Sequence, residues 1–176
     1  MDRGTIQLKM VGDMVLFWFV TSVTATAIRA AGGVETEAPT LLDLLMLLIV
    51  SPLLEEALFR GVVFRWLRRH TGRVIAYGVS AAAFAFLHGT PEQVYTGAAC
   101  GLLFALLYDY AGKLYVPILA HAGYNVLTLA LYGMAVPTVL FHPAALVLCN
   151  AGLIALFIVA VRRCGAGVLR GGEAGV

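Results

Sequence analysis

Three short stretches carry residues that could do chemistry, and each lies where an ionisable or polar group is costly. Glu55, Glu56 and Arg60 fall inside Pro52-Leu53-Leu54-Glu55-Glu56-Ala57-Leu58-Phe59-Arg60. His88 closes Phe84-Ala85-Phe86-Leu87-His88, and His121 shares His121-Ala122-Gly123-Tyr124-Asn125 with Asn125. A charged side chain at the middle of a bilayer costs about 2.5–3.5 kcal/mol on insertion scales. Such groups persist when they are paired or line a wet cavity. Glu56 and Arg60 stand four apart with the acid N-terminal, the favourable arrangement for a helical ion pair. Glu55 lies about 100° around the helix from Glu56, so its carboxylate points elsewhere. His121 and Asn125 share one helix face, and Phe84 and His88 share another.

These side-chain types suit peptide hydrolysis. A buried carboxylate can take a proton from water, and a histidine can share that proton and orient the water. A second imidazole and an amide can donate hydrogen bonds to an oxyanion. The same residues also allow a metal site, with two histidines and one glutamate on zinc and water in the fourth position. No HExxH motif supports that alternative.

The elements that must position these groups are apolar. The chain has 176 residues, 61% apolar and 12% charged, with a mean hydropathy of +0.90. Soluble domains carry about 25% charged residues, so most of this chain has lipid as its solvent. A crossing needs about 20 apolar residues. Apolar stretches recur at about 10–31, 40–68, 74–88, 92–108, 114–134 and 139–161, separated by polar or glycine- and proline-containing breaks. The reading is all-α: a polytopic transmembrane helical bundle of about six spans. It forms one domain over residues 1–164, with a short disordered cytoplasmic tail at 165–176. The first stretch is too long for the core of a cleaved signal peptide and reads as a retained span. Cys100, Cys149 and Cys164 are odd in number, show no CxxC spacing and read as packing residues. Gly97 and Gly101 form a GxxxG that permits close helix packing, and Asn150 reads as helix–helix hydrogen-bonding. Asp13, Asp43 and Asp109 near span ends read as solvated carboxylates. His70 and His142 match no motif.

Basic residues segregate. Arg3, Lys9, Arg65, Arg68, Arg69, Arg73, Lys113, Arg162, Arg163 and Arg170 fall on one side of a six-span arrangement, and Arg29 on the other. The positive-inside rule then puts both termini in the cytoplasm. Counted along the helices from that side, Glu55 lies about 21 Å in, His88 about 22 Å, Asn125 about 18 Å and His121 about 12 Å. Three helices can therefore bring the four residues into one layer, and cleavage is expected near the cytoplasmic half of the bilayer.

Taken together, Glu55-Glu56-x-x-x-Arg60, Phe84-x-x-x-His88 and His121-x-x-x-Asn125 resemble, in order, the three motifs of the CPBP intramembrane proteases. That family includes the type II CAAX prenyl endopeptidases and proteins linked to bacteriocin processing and immunity. The match covers about residues 40–135, and the outer spans add a compatible helix count. The resemblance implies an intramembrane endopeptidase of glutamic type in a bacterial or archaeal cell membrane. Glu55 would activate water with help from His88, His121 and Asn125 would form the oxyanion hole, and Glu56 and Arg60 would support them. No cofactor is implied, although the family was first described as metalloproteases and zinc stays open. Expected partners are membrane lipid and a membrane-anchored protein or peptide, for example a C-terminal sorting helix, and no nucleic acid. Two rivals follow from the same residues. One is a non-catalytic immunity or scaffold protein of this fold. The other is a proton-coupled carrier, which the lack of an inverted repeat or paired broken helices disfavours.

Overall fold

The computed structural model describes residues 3–31 and 39–132, with scattered helical positions between 144 and 159. All regular structure among the described residues is helical. Helix α1 spans Arg3–Ala31. Helix α2 is a continuous rod over residues 41–70, built of α-helical turns interrupted by wider π-helical ones at Met46–Val50 and Ala57–Phe64. Helices α3 (Arg73–Phe86), α4 (Pro91–Ala111) and α5 (Tyr115–Tyr132) follow after short turns.

Local chemistry explains the boundaries. Thr40 and Asp43 form a reciprocal capping box that starts α2,. Pro52 explains the first π-helical stretch, because it has no N–H and its ring crowds the preceding turn,. Thr90-Pro91 starts α4, with proline in the first turn where no donor is needed,. Gly112 ends α4 in the left-handed region (φ 64°), its N–H donating to the Tyr108 carbonyl at 2.8 Å,.

Helices α3 and α4 approach closely. A Cβ on Gly97 would lie 2.9 Å from the Ala85 Cα, and one on Gly101 would lie 3.0 Å from the Ala81 Cα. The GxxxG pair thus lets two backbones touch, as its spacing suggested. Helix α1 closes one side through Phe17, which packs with Leu103, Phe104, Ala120 and Tyr124. A second core of Phe64, Leu67, Ala76, Tyr77, Ala105 and Leu106 fills the arginine-rich end. Asn150 accepts from the Tyr95 hydroxyl and donates to Thr24 Oγ1 at 3.1 Å, a hydrogen-bonded tie between helices.

The bundle buries an ion pair among its apolar cores and exposes large apolar side chains. Glu56 and Arg60 are fully buried, whereas Leu54, Val62, Val74, Phe86 and Leu119 are each 60% or more exposed. A water-soluble fold reverses that order. The six-crossing expectation is met only in part. Among the described residues, Pro91–Ala111 is the one helix long and apolar enough to cross, while Gly12–Ile28 and Arg73–Phe86 are apolar but shorter. The physical reasons are visible in the elements. At 1.5 Å per residue α3 is about 21 Å long, short of a 30 Å hydrocarbon core. Helix α2 is about 45 Å long but carries Glu55, Glu56 and Arg60,. The sixth expected span, Cys149, Cys164, His142 and the tail at 165–176 lie outside the described residues or fall largely there.

Asp109 departs from its reading as a solvated carboxylate. It is hydrogen-bonded by Tyr77 at 3.0 Å and paired with Arg68 at 3.3 Å and Arg73 at 3.4 Å. Arg68 belongs to α2 and Arg73 and Tyr77 to α3, so this α4 carboxylate ties three helix ends together. His70 also acquires a role, its Nδ1 meeting the Trp66 carbonyl at 2.8 Å while its ring stacks on the indole.

Candidate active site

Helix α2 presents two neighbouring carboxylates to different surroundings. Glu56 points into the bundle. Its Oε1 accepts from Arg60 Nη1 at 3.0 Å and from His121 Nδ1 at 3.0 Å. Arg60 also donates from Nη2 to the Gly101 carbonyl at 3.1 Å, and its guanidinium lies over the rings of Phe84 (4.4 Å) and Phe104 (5.4 Å). A fully buried ion pair needs such added partners, since Coulomb attraction alone rarely offsets the loss of hydration. His121 stacks on Phe104 with centroids 5.0 Å apart. Glu56 and Phe104 therefore fix both the tilt and the face of the imidazole.

Glu55 turns the other way and lines a cavity of about 600 Å³. Its Oε2 is buried without a hydrogen-bond partner among the described residues and stands 4.0 Å from His121 Nε2. That gap is too long for a direct hydrogen bond and suits a bridging water. His88, His121 and Asn125 line the same cavity. The structure therefore brings Glu55, His88, His121 and Asn125 together, and sets Glu56 and Arg60 directly behind them.

Hydrogen bonds assign the ring nitrogens. His88 Nδ1 donates to the Phe84 carbonyl at 2.9 Å, in the last turn of α3, where a helical acceptor lacks a backbone donor,. His121 Nδ1 donates to the Glu56 carboxylate, which can only accept,. In both rings Nε2 is then the nitrogen left for a water or a substrate. Asn125 has a different tie. Its Nδ2 donates to the Leu47 carbonyl at 2.7 Å. In π-helical register the donor for that carbonyl would be residue 52, a proline with no N–H,. Asn125 satisfies the acceptor that Pro52 orphans, and its second amide hydrogen remains for the cavity. The site thus offers a carboxylate acceptor for a proton of water, two imidazole Nε2 atoms and an amide donor nearby.

A metal was the other chemistry these residues allowed. Among the described residues, no three His, Cys, Asp or Glu side chains stand close enough to share one ion. The donor set does not fit a preformed zinc centre.

Several cavity residues escaped sequence reading. Ser51, Thr90, Glu92, Gln93 and Thr96 form a polar rim, with Glu92 itself buried. The polar run Glu92-Gln93 with Thr96 at the start of an apolar helix was the available signal. Pro39, Thr90, Glu92 and Gln93 lie at the end of the bundle away from Arg68, Arg73 and Lys113. Glu55 is midway along α2, and the cavity extends from it toward that end.

Gly97 touches the site from behind. A Cβ there would lie 3.2 Å from His88 Nδ1 as well as 2.9 Å from the Ala85 backbone. Gly97→Ala is expected to cost about 1–3 kcal/mol through overpacking. By displacing His88 it should lower turnover by up to about 100-fold. Thermal unfolding in detergent and a cleavage assay check the two effects separately.

The sequence matches a family described as Rce1-like, type II CAAX prenyl endopeptidase, over residues 37–127. It is similar to YdiL of Bacillus subtilis (strain 168), a proposed membrane peptidase. The two are 35% identical over 77 residues, 44% of this chain and 32% of that protein. It is also similar to MroQ of Staphylococcus aureus (strain USA300), named a membrane-embedded CAAX protease. That pair is 34% identical over 104 residues, 56% of this chain and 39% of that protein. The matched stretch thus spans about a third of the length of these curated relatives. No solved structure matches the chain.

Proposed function

The chain belongs to the Rce1-like family of type II CAAX prenyl endopeptidases, and from that premise we propose that it is an intramembrane endopeptidase of a bacterial membrane. Its substrate is a membrane-anchored protein or peptide, cleaved by a glutamate-activated water. The observation that carries the reading is the convergence of Glu55, His88, His121 and Asn125 on one cavity inside an apolar bundle. The finer reading keeps six crossings, with both termini cytoplasmic. On that orientation the polar rim opens to the non-cytoplasmic side, and water reaches Glu55 from there.

The steps follow from the acceptors and donors. Glu55 takes a proton from a water that His88 helps to orient, and the oxygen attacks the peptide carbonyl carbon. The carbonyl oxygen becomes an oxyanion, which the free amide hydrogen of Asn125 stabilises. His121 adds a second donor when its Nε2 is protonated, because its Nδ1–H is held by Glu56. The proton on Glu55 passes to the leaving nitrogen as the C–N bond breaks, releasing an amine and a carboxylic acid, whose remaining proton is then lost to water. Glu56 and Arg60 position His121 and do not meet the substrate.

Co-expression with lipid-anchored and helix-anchored candidate substrates tests the proposal. Mass spectrometry should find two fragments whose masses sum to the substrate plus one water. A panel cleaved equally with and without the protein would refute it. Metal independence is the second expected result. Chelation should leave the rate unchanged, and one stoichiometric zinc lost together with activity would overturn the glutamic assignment.

A further inference from the structure

At the opposite end from the cavity rim, the last two turns of α2 carry Arg65, Arg68 and Arg69. A separate pocket of about 240 Å³ lies there, lined by Phe64, Arg65, Arg68, Arg69, Tyr108 and Asp109. Asp109 is its one carboxylate, and that charge is already shared by Arg68 and Arg73. Arg65 and Arg69 are exposed and form no ion pair among the described residues. Three guanidiniums line the pocket against one carboxylate, which Arg73 also shares, and leave a surplus of positive charge with forked donors suited to phosphate,.

The same helix also carries an exposed apolar track. Leu54, Leu58, Val62 and Trp66 are all exposed and follow one another at four-residue spacing along α2. Their span is about 18 Å, close to half of a 30 Å hydrocarbon core and so to the depth of one leaflet. Trp66, stacked on His70, stands at the level of the arginines, where an amphipathic ring marks the membrane–water interface. We propose that this pocket binds the phosphate of an anionic phospholipid, whose acyl chain lies along the Leu54–Trp66 track. A free phosphate would satisfy the guanidiniums but leave the apolar track unused, which is why the lipid is the occupant favoured here.

The site is independent of the cavity and of cleavage, so its test needs no substrate. The purified protein is reconstituted in phosphatidylcholine discs with graded phosphatidylglycerol, and bound lipid is counted by native mass spectrometry alongside thermal unfolding. Phosphatidylglycerol should be retained and raise the unfolding temperature, whereas phosphatidylcholine and inorganic phosphate should not. Arg65→Gln/Arg69→Gln should weaken retention by about tenfold or more. Both residues lack ion pairs, so the variant should unfold in pure phosphatidylcholine as the wild type does. Lys9→Gln/Lys113→Gln removes the same charge from the same side and should leave retention intact. Equal retention in both double variants, or the same stabilisation from inorganic phosphate alone, would overturn the proposal.

Discussion

Glu55→Gln is expected to abolish cleavage while the protein still inserts and folds. The side chain keeps its size, and the Glu55 Oε2 has no hydrogen-bond partner that the substitution would break. Stability should therefore change little. The chemistry changes completely, because an amide cannot take a proton from water. General-base catalysis by a positioned side chain contributes about 10²–10⁴ in rate, so kcat should fall by that factor with KM nearly unchanged. Glu56→Gln makes the contrast. It weakens the hold on His121 Nδ1 and on Arg60, so it should cost both activity and stability. A Glu55→Gln protein that cleaves at the wild-type rate would remove the basis for the proposed mechanism. It would leave a helical scaffold with paired charges.

Arg60→Met should have the largest effect on stability. The guanidinium is fully buried, and its loss leaves the Glu56 carboxylate without its cation in an apolar interior. Breaking a buried pair from one side costs about 3–5 kcal/mol. The Gly101 carbonyl would lose a donor, and the rings of Phe84 and Phe104 would lose the cation between them. Removing both charges is a different experiment. Glu56→Met/Arg60→Met should recover much of the loss, because an apolar pair of similar volume can replace a buried ion pair. Activity should not recover, since His121 would keep no acceptor for its Nδ1 hydrogen. Thermal unfolding in detergent together with the cleavage assay separates these outcomes. A double variant as unstable as Arg60→Met would mean that packing of the arginine stem, and not charge, dominates at this position.

Much of the site was legible before any coordinates. The Glu56–Arg60 pair was readable because four residues is a full helical turn, and a turn is local. The divergence of Glu55 from Glu56 followed from the same geometry. The helical class followed from apolar runs too long and too poor in charge for a water-facing domain. The three motifs carried the family resemblance because they preserve local spacings within each helix.

What lay beyond the sequence was every relation between helices. Nothing in the order of residues says that His121 meets Glu56 and leaves Glu55 4.0 Å away. Nothing local says that Asn125 completes a carbonyl that Pro52 cannot serve, or that Asp109 gathers two arginines and a tyrosine. These contacts join residues 32 to 78 positions apart, and they depend on how closely the helices approach. Gly97 and Gly101 allow that approach between α3 and α4. The direction in which the cavity extends was likewise a tertiary matter, since depth counted along single helices ignores tilt and the widened turns of α2. By itself the sequence determined which groups are present, their helical faces and the apolar medium around them. The packed structure alone decided which of them meet, because contact between helices is set by side-chain shape across the whole bundle and not by periodicity along one.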